Sequence, residues 1–174
     1  FHGVNTLADM DRITGPGGAL EAMLKAKDEG LVGGFGFSSH RPPRLYLEAL
    51  ERLPLSVILI WDNYLEEQWI PEIQEQVYPL AREKGVGITA MKPLADGFLY
   101  QSPEAALRYA LGSGSEMLIC GMNSVDHVHQ AAAALAKGPA DDDERAEILR
   151  DAPELGNYVC RQCGVCSDPL MALF

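Results

Sequence analysis

Residues 56–91 read SVILIWDNYLEEQWIPEIQEQVYPLAREKGVGITAM and contain one complete strand–helix–strand unit. Ser56–Trp61 and Val86–Met91 are almost continuously apolar, which is typical of strands buried on both faces of a parallel sheet. Glu72–Lys84 lies between them and has helical periodicity that a proline interrupts, which predicts a short helix followed by a second one. The segment therefore predicts a parallel βαβ unit.

The same alternation extends to both sides of this unit. Leu31–Phe37 and Met117–Cys120 are short apolar runs and are predicted to be strands. Phe1–Val4 resembles the inside of a strand and has no initiator Met, so we expect the natural chain to start earlier. The predicted helices are Gly17–Glu29, Pro43–Arg52, Ser102–Leu111, Ser124–Ala136 and Glu144–Arg150.

Doubly wound sheets and (β/α)8 barrels both alternate in this way, and periodicity alone does not choose between them. No predicted strand is followed by the G-x-G-x-x-G sequence. Because that sequence marks the dinucleotide-binding doubly wound sheet, its absence disfavours this fold.

Composition excludes several classes of partner. The net charge of −11 and the lack of a basic stripe argue against nucleic acid. No apolar run reaches the roughly 18 residues that a membrane span needs. The N-terminus lacks the basic and apolar regions of a signal peptide, so we expect a cytoplasmic protein.

The active site of a β/α barrel lies at the carboxyl ends of its strands. Polar residues follow each predicted strand here, although any parallel α/β protein has polar residues at these places. They are His2-Gly3, Ser38-Ser39-His40, Asp62-Asn63-Tyr64, Lys92-Pro93-Leu94 and Gly121-Met122-Asn123-Ser124.

In order and spacing, these segments resemble the aldo/keto reductase family. The matching pieces are His2-Gly3 at the fourth barrel strand, Gly36–His40 at the fifth ("G-x-S"), Asp62–Tyr64 at the sixth ("YN"), Ala90–Leu94 with Gly97 at the seventh ("PL..G"), Ala106–Leu111 at the "ALRWAL" helix and Ile119–Met122 at the eighth strand ("I.G"). The resemblance implies a partial TIM (β/α)8 barrel in residues 1–156, with strands 4 to 8 and their helices.

The family resemblance implies NAD(P)H-dependent reduction of a small aldehyde or ketone. His2 matches the catalytic histidine, whereas the tyrosine acid, its lysine and the aspartate belong to earlier strands, so we expect this chain alone to be inactive. The residues implied to bind the cofactor are Ser38 and Ser39 (nicotinamide carboxamide), Lys92 and Leu94 (pyrophosphate), Gly121, Asn123 and Ser124 (adenosine phosphate), and Asn63. Asn123 stands where a phosphate-binding Arg or Lys is expected, which leaves NAD versus NADP open.

Residues 157–174 contain Cys160, Cys163 and Cys166 in a C-x2-C-x2-C pattern, the start of a ferredoxin-type motif. The position of the fourth cysteine is Leu170. A subset of the family carries such a tail, which implies a 4Fe–4S cluster in the intact protein. Zinc held by the same thiolates, or cysteines without a ligand, are the alternatives.

Two other functions are compatible with this sequence. One is a non-catalytic metal- or cluster-binding module built on a half barrel. The other is a different barrel enzyme, such as an aldolase, which is disfavoured because Lys92 is the one candidate Schiff-base lysine and precedes Pro93. Whichever holds, an open partial barrel exposes strand edges, so we expect the chain to self-associate.

Overall fold

The structure is a computed structural model that describes residues 1–40 and 43–157. This part of the chain contains four strands: β1 Gly36–Ser38, β2 Val57–Trp61, β3 Gly87–Met91 and β4 Met117–Ile119. The α-helices are α1 Leu7–Thr14, α2 Ala19–Asp28, α3 Pro43–Arg52, α4 Tyr64–Trp69, α5 Tyr78–Glu83, α6 Pro103–Leu111, α7 Val125–Lys137 and α8 Asp142–Asn157. A π-helix, Ile73–Val77, precedes α5, and a 3-10 turn, Ala95–Gly97, follows β3.

The strands follow one another in the sheet in chain order, β1-β2-β3-β4. β1 pairs with β2 in parallel, with Ser38 opposite Leu59, and β3 pairs with β4 in parallel, with Met91 opposite Ile119. The parallel α/β architecture is confirmed, and it is consistent with part of a TIM barrel.

The chain divides into two compact units. In the described residues, unit 1 comprises Phe1–Ile60 and Glu75–Ile88, and unit 2 comprises Trp61–Gln74 and the chain from Thr89 onward. No helix in this part of the chain combines the length and the apolar character that crossing a bilayer requires.

Unit 1 is built around the apolar faces of β1, β2 and α3. Phe37 and Tyr46 are buried and meet edge to face, with ring centroids 5.2 Å apart. Ile58 of β2 and Ile88 of β3 are also buried, and the amide of Gly87 donates to the carbonyl of Ser56 at 3.0 Å. The apolar run 56–61 therefore forms a strand as predicted, with Ile58 and Ile60 buried, whereas Val57 is exposed and the strand is not buried on both faces throughout.

Unit 2 has its own core beneath the loops that follow β2 and β3. Its buried members are Tyr64, Leu65, Ala95, Leu99, Ala106 and Tyr109. The rings of Tyr64 and Tyr109 lie 5.6 Å apart, and Arg145 of α8 stacks over Tyr109 with its guanidinium carbon 3.9 Å from the ring centroid. Helices α4, α6 and α8 are held together by these contacts.

Three predicted elements differ from the structure. The strand predicted at Leu31–Phe37 is confined to β1, because Leu31 ends the turn after α2 and is 72 % exposed. Phe1–Val4 is not a strand: two hydrogen bonds join Phe1 to Gly36 and Ser38, and no regular ladder follows them. The described residues thus contain four strands rather than the five implied by the family resemblance, and α8 is longer than the predicted Glu144–Arg150.

Candidate functional site

Four polar residues at the carboxyl end of β1, here called the serine cluster, form two hydrogen-bonded pairs: His2 with Ser38, and Ser39 with Tyr46. Ser39 is fully buried; its hydroxyl donates to the carbonyl of Val4 at 2.8 Å, and its amide donates to the Tyr46 hydroxyl at 2.9 Å. The Tyr46 hydroxyl also lies 2.6 Å from the carbonyl oxygen of Ser39. Burial raises the pKa of the Tyr46 phenol, which stays protonated at neutral pH.

His2 is the exposed member of the serine cluster. Its Nδ1 lies 2.7 Å from the hydroxyl of Ser38, which is itself buried. When Ser38 donates to Nδ1, the imidazole proton is on Nε2, where a neutral ring can donate a hydrogen bond to a carbonyl oxygen. His2 also borders a shallow cavity of about 300 Å³ that Asp9 and Arg12 help to line.

In unit 2, β3 is followed by a turn of unusual backbone conformation. Lys92, Ala95 and Asp96 have positive φ angles of 60, 47 and 57°, and Gly97 has 98°. Residues other than glycine rarely adopt this left-handed conformation, and a group of them marks a turn that its surroundings hold in place. Lys92 and Asp96 also form an ion pair with Nζ and Oδ1 2.8 Å apart.

Asn63, at the end of β2, is buried and bonded to this turn. Its Oδ1 accepts from the amides of Leu65 and Glu66 and caps α4, while its Nδ2 donates to the carbonyl of Lys92 at 3.0 Å. Asp62 is also buried and accepts from Gln74 at 3.0 Å.

A cavity of about 830 Å³ lies at the carboxyl ends of β3 and β4 and is here called the strand-end cavity. Its lining includes Lys92, Leu94, Gly121 and Asn123, four of the residues predicted to bind a cofactor. The other lining residues include Met91, Asp96, Tyr100, Cys120, His127 and Gln130. The volume is within the range of small-molecule sites, and the walls combine apolar side chains with a few polar groups.

The polar groups of the strand-end cavity favour an anion only in part. Ser124 caps α7, and its hydroxyl accepts from the amide of His127 at 3.2 Å, next to the cavity-lining Asn123. A helix N-terminus attracts anions, but Asp126 in the first turn opposes this attraction. Burial raises the pKa of the Cys120 thiol, so this cysteine is neutral at physiological pH.

The structure therefore brings the predicted residues together in two separate sets. In unit 1, His2 and Ser38 are bonded to each other, whereas the Ser39 hydroxyl is used inside the protein. In unit 2, four predicted residues line the strand-end cavity, with Asn63 bonded to one of them and Ser124 adjacent in sequence. Cys160, Cys163 and Cys166 lie outside the described residues. Among residues 1–40 and 43–157, no group of three His, Cys, Asp or Glu side chains could hold a metal ion.

Among the residues of these sets that sequence reasoning missed are Tyr46, Asp96 and His127. Tyr46 lies in a helix, away from any strand end, and nothing in the local sequence shows its contact with Ser39. Asp96 and His127 lie four residues after Lys92 and Asn123, respectively, and spacing along a turn or helix was the available signal.

A parallel sheet in chain order, with the predicted polar residues at its carboxyl ends, defines the chain as a parallel α/β protein and is consistent with part of a β/α barrel. Residues 4–104 match the aldo/keto reductase family, and the chain belongs to that family. No curated protein sequence matches it significantly.

Solved structures agree with the fold. The holo form of the aldo-keto reductase AKR11C1 from Bacillus halodurans is 22% identical with a TM-score of 0.62, covering 93% of this chain and 62% of that one. The apo form gives 22% and 0.61, with 93% and 63% coverage. An aldo-keto reductase from Klebsiella pneumoniae in complex with NADPH is 19% identical with a TM-score of 0.57, covering 77% and 53%. The chain thus spans less than two thirds of the length of these structures.

Proposed function

We propose that this chain is part of an NADP(H)-dependent oxidoreductase that reduces small aldehydes or ketones. The observation that carries the proposal is the strand-end cavity, because four residues that the family pattern assigns to the cofactor line it together. The Klebsiella pneumoniae relative is complexed with NADPH, which favours the phosphorylated dinucleotide.

Three residues that line the strand-end cavity suit a dinucleotide phosphate. The Lys92 ammonium supplies a cation, the backbone of Gly121 allows close approach, and Asn123 offers amide donors. Ser124 caps the helix that follows. In unit 1, Ser38 is the better candidate of the two serines for the nicotinamide carboxamide. Ser38 is 7 % exposed and its hydroxyl can accept from the carboxamide NH2 while it donates to His2, whereas Ser39 is 0 % exposed and donates to Val4.

The bound dinucleotide would supply the hydride. His2 would polarise the substrate carbonyl by donating from Nε2, with Ser38 fixing the ring through Nδ1. The tyrosine that gives the proton, with its lysine and aspartate, belongs to strands that the family places before His2. The purified 174-residue chain should therefore bind NADPH and show no carbonyl reduction.

Fluorescence titration with NADPH and NADH tests the cofactor assignment. We expect saturable binding of NADPH that Gly121→Val weakens, because the added side chain narrows the approach to the strand-end cavity. Gly33→Val, at an exposed glycine before β1 with open space around it, is the matched control for substituting a glycine elsewhere. Absence of NADPH binding in a folded chain would overturn the proposal.

The proposal includes an accessory 4Fe–4S cluster bound by Cys160, Cys163 and Cys166. Three thiolates spaced by two residues can hold a cluster with one iron open to another ligand, which makes it labile. Such thiolates need a reducing compartment, which fits the predicted cytoplasmic location. Zinc is the rival occupant, since it also accepts sulfur ligands.

Metal content decides between these occupants. After anaerobic reconstitution, iron, acid-labile sulfide and zinc are measured in the wild type and in Cys163→Ser, with Cys120→Ser as the matched control. We expect iron and sulfide that Cys163→Ser loses and Cys120→Ser keeps. Equal metal in all three proteins would exclude the motif as the site, and zinc alone would replace the proposed cluster.

The proposal also includes self-association of the chain. β4 is the last strand of the described sheet, and its Met117 and Ile119 are exposed, as is Val128 of the following helix. An apolar edge strand of this kind invites pairing with another chain. Size-exclusion chromatography should show species larger than 18.9 kDa, and a clean monomer would contradict this part.

A further inference from the structure

The Asn63 side chain joins the start of α4 to the turn that follows β3, both in unit 2. It is 1 % exposed, and its carboxamide uses both ends: Oδ1 caps α4 by accepting from Leu65 and Glu66, and Nδ2 donates to the carbonyl of Lys92 at 3.0 Å. Capping α4 requires an acceptor alone, which serine or aspartate also supplies. The donation to Lys92 requires the amide, and this second bond distinguishes asparagine from the other capping residues.

Lys92 is the first residue of the left-handed turn. Its φ of 60° is unfavourable for a residue with a side chain, and Ala95 and Asp96 repeat this conformation. The Lys92 carbonyl accepts from Asn63 and from the amide of Ala95 at 2.9 Å, so two donors fix its direction. The residue before it, Met91, accepts at 3.0 Å from the amide of Asp62. Consecutive carbonyls at the end of β3 are thus held by consecutive residues at the end of β2.

The turn, rather than Asn63 itself, borders the strand-end cavity. Lys92, Leu94 and Asp96 are lining residues, and Asn63 is not among them. A group that does not reach the cavity acts on its contents by fixing the groups that do.

We propose that Asn63 is a positioning residue for the cofactor site, and that its amide bond to the Lys92 carbonyl holds the left-handed turn in the shape that binds the dinucleotide. This inference rests on the proposed function and gives Asn63 an indirect role in place of direct contact. It also predicts which chemical part of Asn63 matters, namely the Nδ2 donor.

Two variants separate the donor from the cap. Asn63→Ser and Asn63→Asp both keep a side-chain acceptor for α4, and neither carries an amide that can donate to Lys92. Thr6→Ala removes a helix cap in unit 1 and is the matched control for the loss of a cap without any change in the turn. NADPH affinity is measured by fluorescence titration, and amide hydrogen exchange is followed by mass spectrometry.

We expect both Asn63 variants to bind NADPH about tenfold more weakly, the scale for losing one buried hydrogen bond. Exchange should accelerate in the turn, where the amides of Ala95, Gly97 and Leu99 bond to Lys92 and Leu94, and remain unchanged in α4. Thr6→Ala should leave affinity and turn exchange unchanged. Acceleration throughout unit 2 would mean a merely structural role and would overturn the proposal.

Three further results are decisive. Wild-type affinity in both variants overturns the positioning role. Weaker binding in Asn63→Asp alone is an effect of the added charge and overturns it as well. If the wild type does not bind NADPH, the proposed function fails, while turn exchange still decides whether Asn63 holds the turn: unchanged exchange overturns that statement and faster exchange supports it.

Discussion

The serine cluster and the strand-end cavity both follow parallel strands, yet they use their polar groups differently. In the serine cluster, Ser39 and Tyr46 are buried and bonded to each other and to backbone carbonyls. Around the strand-end cavity, Asn123 and His127 border open space and Lys92 is paired with Asp96 at the surface. A polar residue after a strand therefore either bonds inside the protein, as Ser39 does with Tyr46, or lines a cavity, as Asn123 does.

The largest effect should come from Tyr46→Phe. This change removes the acceptor of the buried Ser39 amide and the donor to a backbone carbonyl, so we expect the free energy of unfolding to fall by about 2 kcal/mol. Urea denaturation measures the loss.

Tyr100→Phe is the matched control at the strand-end cavity. Tyr100 is 70 % exposed, and removing its hydroxyl should change the free energy of unfolding by less than about 0.5 kcal/mol. Equal losses of stability in Tyr46→Phe and Tyr100→Phe would show that the buried hydroxyl of the serine cluster contributes no more than the exposed one at the strand-end cavity.

The buried phenol of Tyr46 also predicts a pH dependence. Burial raises its pKa in the folded protein above the ordinary value of about 10. Because the unfolded chain then loses the proton first, stability is fully present below about pH 10 and is lost as pH rises beyond it, by about 1.4 kcal/mol per pH unit from this group.

Urea unfolding on either side of about pH 10 tests this sign. Tyr46→Phe should lose less stability over this interval than the wild type. An identical pH dependence in the two proteins would show that the phenol titrates normally.

Much of the fold could be predicted because its signals are local. Continuous apolar runs identified β2, β3 and β4, and a serine followed by proline identified the start of α6. Helix α1 was missed although Thr6 and Asp9 form a capping box, because the short segment around them reads as a loop. Helix α4 was missed because Asn63 was interpreted only as the end of a strand.

The site could be predicted only as far as one rule allows, namely that the sites of a parallel β/α protein lie at the carboxyl ends of its strands. That rule placed Lys92 and Asn123, which are 31 positions apart, in one cavity. It could not show that Tyr46 bonds to Ser39 or that Asn63 donates to Lys92, because each contact depends on how separate elements pack in space. Burial divides the predicted polar residues into those with internal bonds and those facing the cavity, and no residue type signals this division.

The helix caps at Thr6 in unit 1 and Ser124 in unit 2 offer a second comparison, with a smaller expected change in the free energy of unfolding. The Ser124 hydroxyl accepts one amide bond, whereas Thr6 and Asp9 cap each other's backbone amides. We expect Ser124→Ala to cost about 1 kcal/mol and Thr6→Ala to cost more, within the usual range for a cap. Thermal unfolding of both variants measures this, and a larger loss for Ser124→Ala would contradict the order.

The smallest expected effect concerns the ion pair at the strand-end cavity. The Lys92 ammonium attracts an anionic ligand and the Asp96 carboxylate repels it, and both side chains are partly exposed. Lys92→Met should therefore weaken NADPH binding about two- to fivefold, and Asp96→Asn should strengthen it by a similar factor, the scale of exposed ion pairs. Asparagine tolerates the left-handed backbone of position 96, so the second variant keeps the turn.

Lys84→Met, which breaks a surface pair with Glu51 in unit 1, is the control and should leave NADPH affinity unchanged. The effects of Lys92→Met and Asp96→Asn on NADPH affinity should both shrink as salt is raised, because exposed charges are screened beyond about 10 Å at 0.1 M ionic strength. Shifts in the same direction for Lys92→Met and Asp96→Asn would show that the variants act through the shape of the turn instead of its charge.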